Sequence, residues 1–554
     1  FVDSCFPNDY QTMYGDSDYL ERRSTIRPIA KLFNDEQLTY YGSTTKLDAN
    51  GNPLPAPKVE SVYYPDGKIA ILRIGMTSDS LYMHINNKNY GNHGHPNALG
   101  IIAYAYGRSL LVDPGRGDYN DNINGGQWLT RQTEAHNTIE INDTTQKRTY
   151  NSDTSYLTVN PGFDLYEGTT TENEGFIHTR YVFFAKPTFW LVSDMVTPSD
   201  KNSSNKYEQT WHLLPEANVS LETASKKAKT NFNDTLGSDI HIVPADSEKL
   251  TASINDGYYA PKYGVINDAK YISYTQNTYG TVTFDTLLYP TAKGQEADPI
   301  VTRLMTEADT QTATALEIKA AQNQPSGYYY LSYEQQPKVR TFGNYTYNGK
   351  MAFIQTKNDG TIDRICMAQG SELKEASNTI IKSSVVIDDL QVSWQADGIH
   401  IESNYLKNTE EQLEITIYSP NTAAVFVNGQ PAAFIQMGNE IHVYINKIGI
   451  QYDQQNIMLA AAYTRKTANN AAKPMLYTAF YQTTHGINQL IKVELASPEK
   501  ELEVGESATL SIQTSIPNGA EFLKILLWNN STGMNPMADS VLIQLDSVQK
   551  AMQP

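Results

Sequence analysis

The chain holds only two cysteines in 554 residues, Cys5 and Cys366. They match no zinc-binding spacing, which excludes a cysteine-built metal site, and they leave a disulfide and two free thiols both open. No run of about 18 apolar residues occurs, which excludes a helical membrane span. Cations are in short supply: 43 Lys and Arg stand against 61 Asp and Glu, a formal charge of −18. That deficit argues against nucleic acid as a partner. It also means that a polyanionic ligand must be met by a few cations at its own site. No 34- or 43-residue repeat is present, so solenoid and propeller architectures are disfavoured. Phe1 is preceded by neither an initiator methionine nor a signal peptide, so no targeting segment reports the compartment and the sequence reads as a piece of something longer.

What the sequence does have is tyrosine, 37 of them, within a hydrophobic fraction of 40%. Such a composition, broken at short intervals by Gly and Asn turns, favours strands. Residues 1–57 read as loop and helix, with Ser24-Thr25 as a cap, Ile26, Ile29, Leu32 and Phe33 on one face, and Gly42 beyond the end. From Lys58 the period becomes two. Val59–Tyr64 and Lys68–Ile74 form a hairpin around Pro65-Asp66-Gly67. Leu81–Ile85, Ile101–Tyr106, Ser109–Val112, Thr138–Ile141, Ile177–Phe184 and Phe189–Val196 continue the pattern. The expected fold is mainly β: a large antiparallel two-sheet sandwich over 58–380, a smaller sheet domain over 381–465, a linker over 465–488, and an immunoglobulin-like module over 488–554.

Three of the ten histidines fall between residues 93 and 136. His95, Asp113 and His136 are spaced by 18 and 23 residues, and two imidazoles with a carboxylate make a zinc set with an open position. His93 and His95 are two apart, so on extended chain both point to one side, one toward metal and the other toward substrate. With Gly107-Arg108 as the hairpin turn, Asp113 pairs with residue 102. His95 then lies roughly 23 Å before it along an ideal strand. Coordination therefore requires the chain to fold back near Pro96–Gly100. Hydrogen-bonded structural histidines are the competing reading. A cupin-type H-x-H site is excluded, because no Glu follows His95 within Pro96–Gly100.

Ordered blocks carry a resemblance. Gly94–Leu99, Tyr104–Gly115 and Trp128–Thr138, with His178-Thr179-Arg180, Trp190–Asp194 and Trp211-His212-Leu213 further on, resemble the heparinase II/III-like polysaccharide lyases. The likeness is strong over 60–220 and weaker to about 450. It implies a lyase super-sandwich preceded by an (α/α) toroid, of which 1–57 would be the end. It implies cleavage of an acidic, uronic-acid-containing polysaccharide, heparan sulfate-like or alginate, by β-elimination in a bacterial secreted or periplasmic enzyme. By position, His95, Asp113 and His136 match ligands of one mainly structural zinc, and His93 matches the sandwich-side catalytic histidine. Asn97 stands where Asp is common. The catalytic tyrosine and the residue neutralising the uronate carboxylate belong to the toroid in this family, so no residue here takes those roles.

Elimination needs the uronate charge offset, a base near C5 and an acid at the leaving oxygen. His93 is the expected base or charge stabiliser. Arg131 offers a planar fork for carboxylate or sulfate, against a strand-end structural role. Trp128, Tyr104 and Tyr106 are candidates for stacking on sugars, against core roles, and His178 and His212 read as satisfied strand histidines. The alternative functions are a non-catalytic glycan-binding protein and a metal-bearing adhesive β-protein.

Overall fold

The computed structural model describes residues 2–88, 93–119, 126–147, 154–234, 236, 238–304, 311–321, 326–409, 411–445, 448–452, 456–465, 470–471, 473–484, 487–504, 506–529 and 541–545. It divides into two compact units. One is Phe1–Tyr333 with Lys357–Gly360, the other Glu334–Thr356 with Thr361–Pro554. Both cysteines are buried, and no disulfide joins them among the described residues.

Two helices open the first unit, α1 (Arg23–Phe33) and α2 (Glu36–Gly42). The expected Ser24-Thr25 cap is corrected. Both residues lie inside the first turn of α1, and the Glu21 carboxylate takes the Arg23 N–H instead. Asp35 caps α2 by accepting from Leu38 N–H at 2.8 Å. The expected apolar face is buried only at Ile26, which packs on Tyr40, Tyr41 and Met76; Ile29, Leu32 and Phe33 are exposed.

Three sheets follow. Strands β1 (Val62–Tyr64), β2 (Ile69–Ile74), β3 (Leu81–Asn86), β4 (Gly100–Ala105) and β5 (Arg108–Leu111) form an antiparallel meander. Next come α3 (Gly126–Arg131), β6 (Ile139–Ile141), β7 (Thr154–Asn160), β8 (Phe163–Thr170), β9 (Phe176–Ala185), β10 (Phe189–Pro198) and β11 (Ser204–His212). The remaining strands are β12 (Asn218–Leu221), β13 (Ala228–Asn231), β14 (Asp239–Pro244), β15 (Thr251–Lys262), β16 (Val265–Tyr279) and β17 (Val282–Thr291). An eight-stranded sheet runs β12-β13-β14-β17-β10-β9-β8-β7, and a four-stranded sheet runs β15-β16-β11-β6. Val112 N–H donates to His212 O at 3.1 Å, joining the end of the meander to the four-stranded sheet. Leu72, Met83, Ile101, Ile139, Trp190, Trp211 and Ile272 share one continuous core across the three sheets. This is the expected antiparallel sandwich, and its central strands are buried on both faces: β4 and β5 throughout, β9 and β10 at all but two positions each.

A charged cluster sits inside that core. Arg180 on β9 and Asp194 on β10 are both fully buried and paired in a fork, Nε to Oδ1 at 2.7 Å and Nη2 to Oδ2 at 2.9 Å. His178 contacts the same carboxylate at 2.7 Å, and Gln209 Nε2 on β11 donates to it at 2.8 Å. Burial alone raises the Asp194 carboxyl, but Arg180 and His178 outweigh it and hold it well below the usual range. The spare Nη1 of Arg180 donates to Leu99 O and Asn137 O, both at 2.7 Å.

In the second unit, the long strands Ile362–Glu375 and Asn378–Gln395 pair antiparallel. Gly398–Glu402 runs parallel to Val425–Val427. The expected linker over 465–488 is corrected. Met475–Thr484 is a strand paired with both Ile487–Ala496 and Phe522–Trp528. Asn456–Thr464 pairs with Ser507–Ser515, so the terminal two-sheet module draws on strands before residue 488. Leu476 and Phe480 are buried in its core. Thr478, also buried, interrupts their apolar alternation and hides the strand from a reading by pattern.

Two predictions follow from the buried charges. Replacing Arg180 by Met strands the Asp194 carboxylate in the core, and urea unfolding should show a loss of about 3–5 kcal/mol, with Arg180→Lys restoring part of it. Glu140 on β6 stands opposite Glu208. Burial first, then Glu134, Glu208 and Asp143, push its carboxyl up to about 7. A carboxyl raised on folding favours the native state below its unfolded pKa, and that advantage is lost as pH climbs through the folded value. Glu140→Gln should therefore match the parent near pH 4.5 and gain on the order of 1–3 kcal/mol over it by pH 8, read from unfolding curves across that range.

Candidate metal and active site

The Tyr106-Gly107 pair makes the hairpin turn, with φ of 50° and 90°. Two successive positive φ values mark a type I′ turn, whose twist suits an antiparallel hairpin. Ala105 consequently faces Arg108, and a bulge sets Ala103 opposite Leu111. The expected pairing of Asp113 with residue 102 is therefore corrected: the ladder ends at Leu111, and Asp113 lies beyond it. Sequence reading missed the turn because Tyr occupies a position that usually favours Asn or Asp.

The chain does fold back before β4. Asn97 N–H donates to His95 O at 2.9 Å, and Gly100 N–H to Asn97 O at 2.8 Å. Gly100 is required here, since a Cβ would stand 2.7 Å from Asn97 O. Asp113 lies just past β5, and His136 follows a short 3₁₀ turn, Thr133–Ala135. Donor atoms of His95, Asp113 and His136 all lie within 4.8 Å of one another, and all three side chains are buried. His136 Nδ1 stands 2.8 Å from Asp113 Oδ2, and Asn97 Nδ2 donates to the same oxygen at 3.4 Å.

Asn137 ties the three segments together. Its amide donates to Ile101 O at 2.7 Å and Val112 O at 2.9 Å, and its oxygen accepts from His212 N–H at 2.6 Å. Arg180 grips the carbonyls of Leu99 and Asn137 from the core side. Each ligand segment thus has a direct bond to the sandwich.

The donor set fits a zinc-type ion. His95 Nδ1 and His136 Nε2 are buried without a hydrogen-bond partner. Orphaned imidazole nitrogens beside a buried carboxylate are unfavourable unless a cation takes the lone pairs. Burial depresses His136, while burial of Asp113 is outweighed by His136 and His95, which lower it. A carboxylate beside a neutral imidazole is the protonation state that ligation needs.

His93 occupies the rim of this cluster. Its side chain is 74% exposed, against 2% for His95. Both imidazoles reach the same residue, Asp16: His93 Nδ1 to Oδ2 at 2.7 Å, His95 Nε2 to Oδ1 at 3.1 Å. Tyr119 OH adds a bond to Oδ2 at 3.1 Å. Burial raises Asp16, but His95, His93 and Tyr119 bring it to about 2. Two residues on, Asp18 takes the Arg116 fork at 3.0 and 2.9 Å, and the Arg116 guanidinium lies 5.0 Å from the Tyr263 ring centre. Asp16 and Asp18 escaped the sequence reading. They precede His93 by more than 70 residues, and only tertiary folding brings them in.

The other candidates fall elsewhere. Arg131 ends α3 and is exposed, on a helix and not on the expected strand. Trp128 is half-buried, donates from its indole to Glu134 Oε2 at 2.9 Å, and packs edge-on against His212 and Tyr258. Tyr104 is fully buried against Phe6 and Ile102, so it offers no ring to a sugar, and Tyr106 packs on the main core. Both remaining candidates are core strand histidines: His178 Nε2 meets Asp194 while its Nδ1 is buried without a partner, and His212 Nε2 stands 2.8 Å from Glu134 O.

Comparison with known proteins agrees with this architecture. Residues 56–285 match the family model described as Heparinase II/III-like, C-terminal. No curated protein matches the chain. Among solved structures, the heparan sulfate lyase HepC from Pedobacter heparinus aligns at 17% identity and a TM-score of 0.51, covering 57% of this chain and 50% of that one. A heparinase III structure aligns at 18% identity and 0.50, covering 60% and 53%. The chain spans about half the length of these structures, and at such identity they show the fold. Among the described residues no helix is long and apolar enough to cross a membrane. Over residues 56–285 the chain is similar to the heparinase II/III-like C-terminal family.

Proposed function

We propose that this chain is the β-sandwich portion of a polysaccharide lyase that cleaves an acidic, uronic-acid-containing polysaccharide by β-elimination. One observation carries the reading: an exposed imidazole, His93, is anchored by a carboxylate beside a buried His-Asp-His cluster, in a domain of the heparinase fold. In the reaction a base removes the C5 proton, a C4–C5 double bond forms, and the C4–O bond breaks with a proton passing to the leaving oxygen. His93 is the base, or the cation that offsets the uronate charge. With Nδ1 committed to Asp16, its Nε2 is the nitrogen left for substrate. Arg131, exposed at the end of α3, is proposed to bind a carboxylate or sulfate. Heparan sulfate-like glycosaminoglycan and alginate are the proposed polymer classes, met outside the cytoplasm of a bacterium.

His95, Asp113 and His136 are proposed to hold one zinc ion. Bound there, it supplies a cross-link between the loop after His95 and the strand end at Asp113. A second reading, non-catalytic glycan binding, draws on Tyr119 and Tyr263, exposed rings 5.5 Å apart that border the site. Stacking uses such rings, and elimination does not need them.

The full-length gene product, incubated with alginate, heparan sulfate, hyaluronan, chondroitin and pectate, should raise the ultraviolet absorbance of unsaturated uronate on one of them. His93→Ala should lower that rate by about 10²–10⁴-fold. Unchanged turnover in His93→Ala removes its role, and no rise on any polymer from folded protein favours the binding reading. Metal analysis should find one zinc per chain, and stripping it should lower stability by about 2–4 kcal/mol; Asp113→Ala should abolish both signals.

A further inference from the structure

We propose that Asp16 is a positioning residue that fixes the tautomers of both His93 and His95 at once, coupling the metal cluster to the substrate-facing imidazole. The part of this concerning substrate rests on the lyase reading. An ionised carboxylate only accepts hydrogen bonds. The nitrogens facing Asp16 are therefore N–H groups: Nδ1 of His93 at 2.7 Å and Nε2 of His95 at 3.1 Å. The lone pairs consequently sit on the opposite atoms. His95 keeps its lone pair on Nδ1, the buried nitrogen that has no hydrogen-bond partner and is placed to ligate. His93 keeps its own on Nε2, on a ring that is 74% exposed. The two histidines of the H-x-H pair are thus held in opposite tautomers by the two oxygens of one carboxylate.

The backbone makes this arrangement stiff. Asp16 N–H donates to His93 O at 3.1 Å. Gly15 before it has φ of +59°, and a Cβ there would lie 2.3 Å from His93 O, so only glycine permits the approach. Tyr119 OH occupies a further acceptor position on Oδ2. The Asp16 side chain is 9% exposed, which shields its bonds from water. A carboxylate behind a ligating histidine orients the ring and raises its basicity. Here the same group also aims a second ring, so tightening one end tightens the other. By reciprocity, loss of metal should loosen His93, and loss of Asp16 should weaken the metal.

The test needs no substrate. Histidine side chains labelled with ¹⁵N report their tautomer in long-range proton–nitrogen spectra, with His93 assigned by its absence in His93→Gln. In the zinc-loaded protein His93 should show the Nδ1–H form. Asp16→Asn replaces one acceptor oxygen by an NH₂ donor, so it should shift His93 toward the Nε2–H form. It should also weaken zinc by about 10–100-fold in chelator competition. Asp18→Asn, which disturbs the Arg116 fork and the Tyr263 N–H bond but none of the Asp16 bonds, should change neither. Asp16→Asn with the His93 tautomer retained and zinc affinity within about twofold of the parent overturns the proposal. Should Asp16→Asn not fold, zinc removal from the parent protein decides: His93 signals should change, and their invariance overturns the coupling. Absence of lyase activity on every polymer would remove the lyase reading and leave these results standing.

Discussion

The buried Arg180–Asp194 pair is the constraint on which the site depends. An ion pair in an apolar core is costly to desolvate and holds only when every remaining donor and acceptor is met. Here they are. The carboxylate receives Arg180, His178 and Gln209, and the guanidinium spends its last nitrogen on the carbonyls of Leu99 and Asn137. Those carbonyls belong to the two segments that carry His95 and His136. The backbone of the two ligand segments is therefore anchored from inside the sandwich, by β9 and β10, while Asp16 holds the His93 and His95 rings from the rim. Asn137 repeats the strategy on the third segment through Ile101 and Val112, next to Asp113.

This support divides the labour between two neighbouring histidines. His95 is buried and held by Asp16 through Nε2, and His93 reaches solvent while sharing the same carboxylate. A zinc ion held by His95, Asp113 and His136 would act on chemistry only through the stiffness it lends to this rim. Preorganisation of that kind keeps a reactive group within a fraction of an ångström of its working position.

Much of this was legible in the sequence. Alternation marked the sandwich strands, and the ordered blocks around His95, Asp113 and His136 pointed to residues that folding brings together. The fold-back at Pro96–Gly100 followed from strand length once His95 and Asp113 were taken to share one ion. What could not be read depended on tertiary context. Asp16 is an ordinary acidic residue until its loop lands on His93. The Tyr106-Gly107 turn lacks the usual Asn, and the bulge after it shifts the register by one. The strand at Met475–Thr484 hid behind a buried threonine. The face of α1 looked like core, yet Leu32 and Phe33 are exposed.

The most direct test of this account is a crystal of the protein grown with zinc and measured on both sides of the zinc absorption edge. The account predicts a single anomalous peak bounded by His95, Asp113 and His136, with His93 outside it and the Asp16 carboxylate bridging the two histidines. A folded protein with no peak at these residues, or with zinc bound to His93 in place of His95, would contradict it.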